Sequence, residues 1–162
     1  IIKFFPMHKF FSVLFLILIF LINSAHLKSG EKDNSEVINL IKLLNKKGFK
    51  LKNELPPTKT AYGLFENSTK TIWISPITNK LGIYKNVLVH EAVHAAQSCP
   101  RGFPTKLNIP IKLNSSQEKI IKMKLVNHYS HGNFLLEKEA FSIQTLSNSI
   151  EIITKEINKR CL

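Results

Sequence analysis

Two histidines four residues apart, with a glutamate directly after the first, stand at His90-Glu91-Ala92-Val93-His94. On an α-helix, positions i and i+4 lie about one turn apart on the same face. His90 and His94 can therefore offer two neutral imidazoles to one metal ion, and such a pair suits zinc. Glu91 lies beside that face. A carboxylate outside the ligand set stays free to take a proton from a water on the metal. The neighbours favour this reading over a chance spacing. Val87, Leu88, Val89, Ala92, Val93, Ala95 and Ala96 make the helix apolar, and two His and a Glu without a partner would be costly to bury there.

Two histidines leave a zinc ion short of a protein ligand. The longer H-E-x-x-H-x-x-G-x-x-H form, with a third His, is absent: Gln97 takes its Gly position and Pro100 its final His position. The remaining source is a carboxylate on a later helix. Glu137-Lys138-Glu139-Ala140 begins 43 residues beyond His94 and is the only acidic pair at a downstream helix start. Leu136, Ile143, Leu146, Ile150, Ile153 and Ile157 form an apolar stripe on that helix. Glu139 falls on the stripe, and Glu137 lies to one side.

These two stretches resemble the gluzincin group of zinc metallopeptidases, in which H-E-x-x-H is completed by Glu from a later E-x-x-A helix. Within the group, His90-Glu91-Ala92-Val93-His94-Ala95-Ala96-Gln97-Ser98-Cys99 is similar to the H-E-x-x-H-A-x-D-x-C stretch of the mitochondrial inner-membrane assembly peptidases, with Gln97 at the Asp position. The chain also resembles small bacterial proteins with H-E-x-x-H followed by E-x-E-A. The resemblance implies a minimal zincin-like domain of the α+β class, helix-rich, with a small β-hairpin or sheet beside the metal helix. It implies Zn²⁺ on His90, His94 and Glu137, with Glu91 as general base and a peptide or protein as substrate. Ala140, next to Phe141, would let the Glu137 helix approach closely. The helical wheel keeps Glu139 as the alternative ligand. In such enzymes a His or Tyr near the zinc stabilises the oxyanion, a role that Tyr129 or His131 would take. His131 could instead substitute as a ligand, or both could be plain loop residues.

The elements that must position these residues can be read in outline. Asn34 or Ser35 can cap a helix from Glu36 to Lys47 that Gly48 stops. Thr60–Glu66 and Thr71–Ser75 flank Asn67-Ser68-Thr69-Lys70 as a hairpin. An edge strand there would bind substrate by strand addition in peptidases of this class. The metal helix is expected over 81–98, ending before Pro100. Residues 100–114 read as irregular, a helix capped by Ser115 or Ser116 follows to Asn127, and a long helical pattern runs from Phe134 towards Lys159.

Cysteine spacing constrains that last helix. Cys99 lies about 8 Å along the helix from His94, whereas Cys161 would lie about 36 Å from Glu137 on one straight helix. A Cys99–Cys161 bond therefore requires a break, and Ser147-Asn148-Ser149 is the weak point. Both cysteines would pair in an oxidising compartment; two free thiols are the alternative. Residues 1–25, with Lys3 and Lys9 ahead of or beside an apolar run from Phe10 to Ile22, have the form of a secretory signal, and 26–35 of a linker. Export to the periplasm or extracellular space is expected, with an uncleaved membrane tether as the alternative.

Losing Lys3 and Lys9 would lower the net charge from +12 to +10. The lysines are spread rather than interleaved with aromatics in a recognisable module, so no nucleic-acid partner is expected. Two rivals to the peptidase remain: an exported protein whose zinc only stabilises it, and a cationic protein that binds the cell envelope by charge.

Overall fold

The computed structural model describes residues 34–58, 60–99, 102–128 and 134–162. The expected signal segment lies outside them, as do Tyr129 and His131. Residues 34 and 35, assigned to the linker, instead open helix α1 (34–46), which ends where Gly48 adopts φ +85°. Strands β1 (Lys50–Lys52), β2 (Gly63–Glu66) and β3 (Thr71–Ile74) follow. Then come helices α2 (Ile77–Lys80), α3 (Tyr84–Ser98), α4 (Ser115–His128), α5 (Phe134–Gln144) and α6 (Ser149–Arg160). The class is α+β: mostly helix, with one small mixed sheet.

The sheet has the order β1-β3-β2. β2 and β3 form the expected hairpin, antiparallel with Leu64 opposite Trp73, although β2 begins at Gly63 rather than Thr60. β1 pairs parallel with β3 and was not legible beforehand, because three residues carry too little alternation to stand out. Ile72 and Ile74 have 0% exposure and belong to the core that also takes Leu40, Leu44 and Phe49.

α3 is the centre of the molecule. Leu88, Val89, Ala92, Val93, Ala95 and Ala96 are fully buried, as befits a helix that is apolar on nearly every side. The sheet, α5 and α6 all pack against it. The helix expected over 81–98 begins at Tyr84 instead, and the separate short helix α2 precedes it. Gly82 takes φ +66°, and Ile83 N–H turns back to Thr78 O at 2.9 Å, so α2 ends before α3 begins. The residues that matter for chemistry remain on one uninterrupted helix.

α4 is capped one residue earlier than expected. Gln117 N–H donates to Asn114 Oδ1 and Asn114 N–H to Gln117 Oε1, both at 2.9 Å, a reciprocal capping box. The break between α5 and α6 falls at residues 145–148, overlapping the weak point. It returns α6 along α3, and Cys161 is bonded to Cys99 with the Cα atoms 5.1 Å apart.

Candidate metal centre

Helix α3 presents His90 and His94 on one face, as their spacing requires, and α5 packs across that face. Ala140 is fully buried on α5, so the two backbones can approach. This brings Glu137 over the imidazoles. Glu137 Oε2 is 3.3 Å from His90 Nε2, Glu137 Oε1 is 3.3 Å from His94 Nε2, and the two Nε2 atoms are 3.1 Å apart. An ion with tetrahedral bonds of about 2.0–2.1 Å holds its ligand atoms about 3.3 Å apart. The three side chains thus form a group that could hold a metal ion.

The protons are already arranged for it. His90 Nδ1 lies 2.8 Å from Gln144 Oε1 and His94 Nδ1 lies 2.8 Å from Gln97 Oε1. An amide oxygen only accepts, so each ring carries its proton on Nδ1 and turns an Nε2 lone pair towards its partner. Gln97 has no freedom to flip. Its Nε2 donates to Glu139 Oε2 at 2.9 Å and to Leu136 O at 3.1 Å, leaving only Oε1 for His94. Lone pairs from three residues then face one point, and buried Glu137 Oε2 has no hydrogen-bond partner. Such an arrangement calls for a cation.

Without a metal, protons take that role. Burial pushes the Glu137 carboxyl up, but the adjacent His90 and His94 rings, as they take up protons, outweigh this and hold it at about 2. Burial favours neutral His94. The Glu137 hydrogen bond and the charges of Glu91 and Glu137 prevail, and its pKa is raised above the ordinary 6.5. Phe141 closes one side, its ring centroid 4.5 Å from that of His90.

Glu139, the alternative ligand, is engaged elsewhere. Its carboxylate accepts Leu107 N–H and Asn108 N–H, each at 2.8 Å, besides the Gln97 amide. The helical wheel correctly placed it inside; what meets it there is backbone rather than metal. The chain of contacts from the 107–108 backbone through Glu139 and Gln97 to His94 orients one ligand from behind, as outer partners of metal-bound histidines do.

Glu91 is buried but stands outside the ligand group. Burial raises its pKa; the nearby His90 and His94 lower it, Glu137 raises it further, and a hydrogen bond from Phe65 N–H lowers it, with a net rise. The strand crosses it at Gly63. A Cβ there would lie 2.6 Å from Glu91 Oε1 and 2.6 Å from Val87 Cγ1, so only glycine lets β2 come this close. At the far end of α3, Arg160 donates to Ala96 O, which also accepts Cys99 N–H, and to Cys99 O, at 3.1 Å each.

Gly63, Gln97, Gln144 and Phe141 thus belong to the site, yet the motifs alone do not assign the first three any role. Two had a signal: Gln97 stands three residues after His94, and Gln144 seven after Glu137, each on the ligand's own helical face. Gly63 had none, since its role arises from the crossing of two distant segments. Compared with protein-family models, curated proteins and solved structures, the chain has no match.

Proposed function

We propose that this protein is an exported zinc-dependent metallopeptidase built on a zincin-like arrangement. The observation that carries the reading is the convergence of His90 Nε2, His94 Nε2 and Glu137 within 3.1–3.3 Å, with Glu91 buried beside them and outside that group. A zinc ion held there would polarise a peptide carbonyl and bring a water's pKa into the neutral range. Glu91 then takes a proton from the attacking water and delivers it to the departing amide nitrogen. Its raised pKa suits a group that must hold that proton between the two steps.

The edge of β2 supplies a place for an extended substrate. Ser75 N–H donates to Tyr62 O at 2.8 Å, so Leu64 and Glu66 face β3 in register, while Gly63 turns its backbone groups outwards and Phe65 gives its N–H to Glu91. A peptide adding to that edge passes Glu91 and the histidines. Two histidines and a carboxylate also suit ferrous iron. A purely redox or structural site, however, has no use for a buried carboxylate beside its ligands. The Cys99–Cys161 bond is compatible with export. Zinc-loaded protein is expected to cleave casein or a peptide library, and Glu91→Gln to lose that activity while keeping zinc. Zinc bound without cleavage by the unaltered protein would favour the structural-metal rival instead.

A further inference from the structure

Helix α4 is apolar on two sides. Ile121 and Leu125 are 2% and 1% exposed and face inwards, whereas Ile120, Met123 and Val126, on the opposite side, are 53%, 57% and 69% exposed. At about 100° per residue these three make one stripe, with Lys119 inside it and Lys122 and Lys124 along its two flanks. A helix with apolar stripes on two sides normally has both of them covered. This one is covered on half.

We infer that the outer face of α4 is a docking surface for an anionic lipid bilayer. Charge decides the partner: residues 102–128 hold five lysines against one acid, Glu118. Geometry points the same way, because the three exposed apolar side chains form one stripe on a single helix. It suits a plane into which Ile, Met and Val dip while Lys119 and Lys122 keep their ammonium groups at the headgroups. The consequence reaches the metal centre, since Lys124 lies over the Phe141 ring at 5.2 Å and that ring packs on His90. Docking on α4 would hold the site at a membrane surface. The inference does not depend on the reaction proposed above.

The test uses the full chain, in which both cysteines are bonded, so one introduced thiol can be labelled alone. Met123→Cys and, as a control on α2, Lys80→Cys would carry an environment-sensitive fluorophore. Vesicles of one part phosphatidylglycerol to three parts phosphatidylcholine are then added. The label at 123 is expected to shift to the blue and the one at 80 to stay unchanged. Replacing Lys119 and Lys122 by Gln should raise the vesicle concentration at half-shift about fivefold per lysine. A label at 123 that stays in water, even with the protein on the vesicles, would overturn the inference. So would an equal shift with phosphatidylcholine alone, or a shift produced by polyglutamate and not by vesicles.

Discussion

Gln97 is where one side chain does most to decide the state of the site. It is fully buried, and it fixes both the proton on His94 and the orientation of Glu139. Gln97→Leu keeps the volume and removes both bonds. Zinc affinity, measured by chelator competition, is expected to fall about 10–100-fold. The pH dependence follows from the same atoms. Glu137, held at about 2 against an ordinary 4.5, contributes stability above 4.5 that is lost as pH falls towards 2. His94, raised above 6.5, contributes stability below 6.5 that is lost as pH rises through its higher folded value. Buried Glu91, also raised, contributes stability below 4.5 that is lost as pH rises through its higher folded value. Metal-free protein should therefore be most stable between those two limits. Zinc competes with the proton on His94, so the difference in Tm between zinc-loaded and metal-free protein should widen from about pH 5 to about pH 8. A difference that narrows over that range would contradict the ligand assignment.

At the scale of elements, the approach of β2 to α3 at Gly63 is the feature that sets the Glu91 carboxylate, the base of the proposed peptidase, in place. Gly63→Ala must push either the strand or the Glu91 carboxylate aside. Peptidase activity is expected to fall at least tenfold, while zinc stoichiometry stays at its unaltered value. Activity unchanged in that variant would mean that the crossing has no role. The elements themselves were legible to different degrees. The hairpin and α3 announced themselves through turn residues and an apolar run, and the split of the last helix followed from the reach of Cys161. β1 and the break at Gly82 did not, because a three-residue strand is defined by its partner and an isolated glycine does not always end a helix. Glu139 shows the limit most clearly. Periodicity told that it is buried, but only the fold supplies the Leu107 and Asn108 amides that satisfy it.

For the molecule as a whole, the disulfide and Arg160 hold α6 against the end of α3, and with it the segment that carries Gln97. The bond joins positions 62 residues apart. Closing a loop of that size restricts the unfolded chain by about 4 kcal/mol in the chain-entropy view. Cys99→Ser with Cys161→Ser should lower stability by about 2–4 kcal/mol in denaturant titrations, with zinc still bound because Arg160 keeps its carbonyl partners. The most direct test of the metal centre is zinc stoichiometry together with zinc-edge absorption spectroscopy on the unaltered protein and on Glu137→Gln. One zinc per chain, with two imidazole nitrogens and a carboxylate oxygen in its shell, and loss of that zinc in the variant, is the result expected. Zinc that is absent from the unaltered protein, or held equally well after Glu137→Gln, would contradict it.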